Sequence, residues 1–523
     1  MKKAKKFISV VFVLLAVCIV TALAYFYVKG SLDYQTSGTT VGEATVQGNE
    51  QQENDSQENR EDQEVSSQYV VVTQNGTTSK QQEPTSEKEA TTQKTADSTT
   101  VKDISFTKKN NDPKSDQIDF DSITEKYGKV IDAVEKGYKA LQTTIDLSEF
   151  NITYDELRDI IEYLCIDHGY YYVKGAYNYS TKGDNVEEYN PEYYMTAKEI
   201  EKIDGQIEEI ANSVAEEAAK QKTDIEKLIY IHNFLIANIT YGSGNTDNAN
   251  NLYGAFILKN TLCTGYSEAF SLLASKVGIK AWVVTSMKLA HAWNIVLLDG
   301  RYYFVDCAWD DPTINNPSLI NNPVSGYGRY QYFMCSEDYL YENDHQSKDW
   351  IVSGHSISGL ASSKFYDSFF WHDYETLMKS ASGSWYQTYS YESKDVKLEQ
   401  VKFSIDKITF SNNENYTLNT DRTVYTCWTM TDGSYYPVFY STLQSYNGAV
   451  YYIRADGIYK LKNGSALDGS GDTCVFRNPR NDNIFDFVID ESQGTFTVMY
   501  GKTMENNSSN ASKISYNISD YKF

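Results

Sequence analysis

Residues 251–312 read NLYGAFILKNTLCTGYSEAFSLLASKVGIKAWVVTSMKLAHAWNIVLLDGRYYFVDCAWDDP, a helical pattern followed by three strand patterns. Tyr266, Ala269, Phe270, Leu273 and Val277 recur at helical spacing, and the face stops at Gly278. The spacing predicts a helix with Cys263 at or just before its N-terminus. Free N–H groups and the helix dipole favour a thiolate there, and such cysteines titrate about one to several units below the free value of about 8.5. Gly265 lets the backbone approach closely. The plain alternative is a cysteine buried as one more small hydrophobe.

The segments 281–287, 291–298 and 301–309 read as three strands. Asp299-Gly300 favours a two-residue type I′ turn, which pairs Leu298 with Arg301. In that register Trp293 faces Asp306 and His291 faces Ala308. Paired and alternate positions share a face, so His291 and Asp306 become diagonal neighbours on one side of the sheet. A bulge of one residue would break this. The set Cys263, His291 and Asp306 suits acyl transfer, which wants a nucleophilic thiol, a base and an acid group that orients the base. A metal would accept the same residue types. No second Cys or His stands at close ligand spacing, so no metal or other cofactor is expected.

These residues resemble the transglutaminase-like superfamily. LYGAFILKNTLCTGYSEAFSLLASKVGI, HAWNIVLLDGRYYFVD and CAWDDP occur in the order of that family's Cys helix, His strand and Asp strand, and the similarity spans about Thr223 to Tyr341. More loosely, ITYDELRDIIEYLCIDHGYYYVKG is similar to the domain preceding this core in bacterial cell-surface members. The resemblance implies an α+β, papain-like core in which the cysteine helix packs on an antiparallel sheet. It also implies Cys263 as nucleophile, His291 as base and Asp306 as third member. Ala308 departs from the family, where many members have Thr before the Trp. For the oxyanion, the backbone N–H of Cys263 is the first candidate donor and Tyr253 the second. The expected chemistry is a thioester formed on a protein or peptide amide, resolved by an amine or by water. A silent binding or scaffold module is the alternative.

Outward from this core the chain changes character. The 523 residues carry a net charge of −24, which argues against a nucleic-acid partner. Lys2, Lys3, Lys5 and Lys6 precede an apolar run from Phe7 to Val28, long enough to span a bilayer with its lysine end in the cytoplasm. Residues 1–29 are therefore expected to be an anchor, leaving the bulk outside the membrane. Cleavage after Ala22-Leu23-Ala24 is the rival, which would release a secreted chain. Residues 30–117 have the polar composition of a disordered tether.

Residues 118–222 are expected to form an N-terminal helical or α+β domain. Tyr127, Val130, Ile131, Val134 and Tyr138 make one helical stripe, and Thr153 with Glu156 makes a capping box. The catalytic core is expected over 223–349, with His232 as a packed residue of no assigned role. Residues 350–523 alternate β-prone runs with turn residues and read as a C-terminal all-β domain. One stretch, NGAVYYIRADGIYKLKNG, is similar to a single propeller blade, but too few such units occur to close a ring. Cell-wall or carbohydrate binding is the functional expectation there, and a positioning appendage the alternative. Many of the 44 tyrosines suit half-buried β surfaces. Six cysteines follow Cys18, and Cys427 with Cys474 could bridge.

Overall fold

The computed structural model describes residues 8–10, 104–242, 248–311, 330–373, 377–379, 384–391, 401–426, 443–454, 456–480, 482–491, 493–501 and 512–523. All of these lie in one compact unit. Of the N-terminal apolar run only Ile8–Val10 is described, as a strand paired with Tyr177–Tyr179. Among the described residues no helix is long and apolar enough to cross a membrane.

The described chain opens with α1 (Ile123–Lys139), α2 (Tyr154–Glu162), the hairpin β1 (Val173–Lys182) and β2 (Asn185–Tyr193), then α3 (Ala197–Ala219) and α4 (Asp224–Asn238). The expected stripe of α1 buries Val130, Ile131, Val134 and Tyr138. Capping boxes start three helices: Thr153 with Glu156, Thr196 with Glu199 and Thr223 with Glu226. Each satisfies orphan N–H groups at both ends of the box. A π-helical turn, Tyr163–Asp167, prolongs α2.

The site-bearing layer follows as α5 (Cys263–Lys276), β3 (Lys280–Ser286), β4 (His291–Leu298), β5 (Arg301–Val305), the single turn α6 (Cys307–Asp310), β6 (Phe333–Cys335), α7 (Glu337–Glu342), β7 (Ile351–Val352) and β8 (His355–Ser356). The strands form one antiparallel sheet in the order β6-β5-β4-β3-β7-β8. Asp299 and Gly300 take positive φ of 51° and 78°, and Leu298 pairs with Arg301 through to Asn294 with Val305, the register that the Asp-Gly turn implies. The sheet contact stops at Val305, however. Residues expected to continue the strand to 309 turn into α6, because Asp306 caps the N–H of Trp309 at 3.0 Å.

Helix α5 packs on β3 and β4 and buries Tyr266, Ala269, Phe270 and Leu273. Side chains of that size contribute about 1.5–3 kcal/mol each when fully buried. Asn294 ties the two layers: its Nδ2 donates to Ser267 O and Ser271 Oγ at 2.9 Å, and to Trp282 O at 3.3 Å.

The apolar cores divide differently from the expected domains. One cluster runs from Ile123 through the cysteine helix to Trp385, Ile408, Phe410, Tyr416 and Leu418. The strands β9 (Trp385–Tyr391), β10 (Val401–Phe410) and β11 (Asn415–Thr426) therefore share a core with the site. Residues from Tyr451 to Ile518 build a separate core. The tether expected to reach residue 117 gives way earlier. Ile104–Thr107 pairs with Asn415–Leu418 at the edge of the β9–β11 sheet. Arg301 then holds Asp112 O at 2.6 Å. Composition cannot report a partner so far along the chain. The protein is thus an α+β fold with a C-terminal β region.

Candidate active site

Cys263 is the first residue of α5, preceded by Leu262 in extended conformation. The loop before it braces the first turn: Asn250 Oδ1 accepts Gly265 N–H at 3.3 Å, and Asn250 Nδ2 donates to Thr264 Oγ1 at 3.1 Å. The Cys263 sulfur is approached by the backbone N–H of Ala292, the residue after His291, and by Thr264. That contact brings the helix start against the start of β4. Ala290 takes a left-handed φ of 55° just before His291, a conformation that costs about 1–2 kcal/mol for an L residue.

His291 donates from Nε2 to Asp306 Oδ2 at 2.6 Å, and both residues are buried. The two side chains are neighbours, as the spacing implied, though Asp306 sits at the cap of α6 rather than within a strand. With Nε2–H committed to a carboxylate, Nδ1 is the nitrogen that keeps a lone pair. Asp306 is buried, which works to raise its carboxyl. The His291 and His345 rings outweigh this and hold it well below the usual carboxylate range.

The thiol behaves otherwise than the helix start suggests. Burial pushes Cys263 up to about 12, with the Asp306 charge adding to it, against the opposing N–H of Ala292 and the hydrogen bonds of Thr264. Loss of solvation exceeds what the helix end returns. Tyr253 lies with its ring over Tyr171 at 6.4 Å and its N–H on Asn251 Oδ1 at 3.0 Å. Among the described contacts none brings it to Cys263.

The absence of a second histidine near the site is overturned in space. His345, 39 residues beyond Asp306, donates from Nε2 to the same Oδ2 at 2.9 Å and is fully buried. Its separation from Asp306 in sequence hid it, and only its scarcity as one of 6 histidines could have drawn notice. The nitrogens and carboxylate of His291, Asp306 and His345 lie within 4.8 Å of one another, close enough to hold a metal ion by distance. Each Nε2 also lies within hydrogen-bond distance of Asp306 Oδ2, at 2.6 and 2.9 Å, which links the three as a hydrogen-bond network.

Two further carboxylates of α6 and its end are clamped. Asp310 receives His232 Nε2 at 3.0 Å and the N–H of Tyr332 at 3.1 Å. Asp311 accepts the hydroxyl of Tyr266 on α5. His232 is thus packed, as expected, and also braces the turn carrying Asp306. Cys165, Cys263, Cys307, Cys335 and Cys474 are free thiols. Cys427, the partner weighed for Cys474, lies outside the described residues.

The transglutaminase-like superfamily matches residues 212–307, a span that holds all three site residues. Solved structures that overlap the chain include the following two. The crystal structure of a TGase is 16% identical with a TM-score of 0.19, over 26% of this chain and 42% of that one. A protein from Parabacteroides distasonis, described as a proposed protease, is 11% identical with a TM-score of 0.16, over 46% of this chain and 55% of that one. The chain therefore spans about half, or less, of each. No curated protein matches it.

Proposed function

We propose, from the premise that residues 212–307 carry a transglutaminase-like domain, that the chain is a cysteine-nucleophile enzyme acting on protein or peptide amides. The observation that carries this is the 2.6 Å bond from His291 to Asp306, with Cys263 held at the adjoining helix start. As the thiol attacks the carbonyl carbon, its proton passes to His291 Nδ1, so the sulfur need not be ionised beforehand. Asp306 stabilises the imidazolium that forms. Collapse of the tetrahedral intermediate breaks the C–N bond, and His291 returns the proton to the departing ammonia or amine. The thioester is then resolved by a lysine amine or by water, whose proton His291 takes in turn. The backbone N–H of Cys263 is the leading oxyanion donor and Tyr253 the second candidate.

The setting is proposed on the sequence pattern. The lysines before Phe7–Val28 favour a single-pass anchor with the bulk outside the cell, in which Ile8–Val10 would leave its pairing with Tyr177–Tyr179, and the C-terminal β region would position the core or bind wall material. A thiol-directed acyl probe supplies the test. Labelling should map to Cys263 and vanish in Cys263→Ala; label retained at that peptide's position would sink the assignment. Incubation with a fluorescent primary amine and a glutamine-bearing protein then separates transfer from hydrolysis.

One observation favours a second reading, a catalytically silent binding or scaffold module. Cys263 is fully buried and its thiol pushed up to about 12. A chain whose Cys263 accepts no acyl probe would be that module.

A further inference from the structure

His345 is a buried ionisable side chain that the three-residue mechanism leaves unused. We propose that His345 is a positioning residue, a fourth member of the site that fixes Asp306 and, through it, the His291 ring. The proposal rests on the enzymatic reading given above.

The loop after α7 is built to deliver this ring. The N–H of His345 donates to Leu340 O at 3.2 Å, and its carbonyl accepts Ser347 N–H at 2.7 Å. Asp344 beside it has a left-handed φ of 73° and accepts the Tyr332 hydroxyl at 3.0 Å. Trp309, Trp293 and Tyr332 wall the ring with centroids at 4.4, 5.1 and 5.2 Å. These rings and the full burial of His345 confine its side chain.

The hydrogen bonds give the role. Asp306 Oδ1 takes the N–H of Trp309, while Oδ2 takes both histidine rings. Three donors leave the carboxylate one orientation, and that orientation sets the plane of His291. The other nitrogen of His345, Nδ1, faces Asn343 O at 3.3 Å. Without His345, the buried Oδ2 would keep only His291 as donor, and the carboxylate would be held at two points instead of three. The carboxylate would then orient the base poorly while the thiol and base stayed in place.

Low-field proton spectra of the full-length chain test this without a known substrate. The wild type should show a low-field ring N–H resonance from each His–Asp306 bond, beside the one from the buried His232–Asp310 bond. Asp306→Asn should remove both. His345→Gln should remove one and move the other, because Gln still donates to Asp306 but from a different group. Loss of only one line in Asp306→Asn, or both Asp306-dependent lines unchanged in His345→Gln, overturns the proposal. In parallel, acyl labelling of Cys263 should fall about tenfold or more in His345→Leu and be largely restored in His345→Gln. Equal rates in the two variants overturn it as well. Should wild-type Cys263 take no label, the enzymatic reading fails while the spectra still judge His345.

Discussion

Gly265 stands two residues after Cys263, where an added Cβ would lie 2.0 Å from Thr261 Oγ1 and 2.8 Å from Asn251 O. The hydroxyl could turn away, but the backbone oxygen could not. Gly265→Ala should therefore destabilise the chain by about 1–3 kcal/mol, read as a lower thermal midpoint, and should reduce labelling of Cys263. A variant as stable as the wild type would refute the close approach. At this scale much of the site was legible. Cys263, His291 and Asp306 could be found because a helix pattern and a two-residue turn relate them locally. His345 could not, since nothing local ties a loop histidine to a carboxylate on the far side of β6. The thiol's upward shift was equally hidden, because it reflects burial by the whole core rather than the helix start alone.

Between elements, the π-helical turn after α2 meets the β7–β8 hairpin through Asp167, whose Oδ2 accepts the Ser353 hydroxyl at 2.6 Å. Burial raises this carboxyl to about 7, and the Glu162 and Asp121 charges add to the shift against the Ser353 bond. An acid whose folded value exceeds its unfolded one favours the fold when protonated. Its penalty is absent below about 4, grows as pH rises, and is complete above about 7. Asp167→Asn should thus raise the thermal midpoint at pH 8, by the equivalent of about 1–3 kcal/mol, and do little at pH 4. An equal gain at both values would remove the carboxylate as cause. Helix starts were the most legible elements, since Thr153, Thr196 and Thr223 each announce themselves with a Glu three residues on. The end of β5 was not. Strand and capped turn compete over residues 306–309, and the outcome hangs on which backbone N–H the Asp306 side chain reaches.

For the molecule as a whole, the telling contact is Ile104–Thr107 against Asn415–Leu418. Phe106 stacks on Tyr416 at 4.9 Å, and Lys108 reaches Phe365 O at 2.8 Å and Ser368 Oγ at 2.6 Å. A chain beginning at residue 118 should unfold several degrees below one beginning at residue 100, and thermal denaturation of the two would check it. Matching midpoints would show the arm to be dispensable. The class of fold was legible in the sequence. The sharing of one core by the site and the β9–β11 sheet was not, because it depends on apolar faces that meet only in three dimensions. Synthesis runs from the N-terminus, so residues 104–107 leave the ribosome with their partner strand some 310 residues still unmade. The arm must wait as open chain until β11 has appeared, and a chain cut short before residue 415 can never close that edge. Closure of this seam thus reports synthesis at least as far as β11, and products cut short before it keep an unpaired arm.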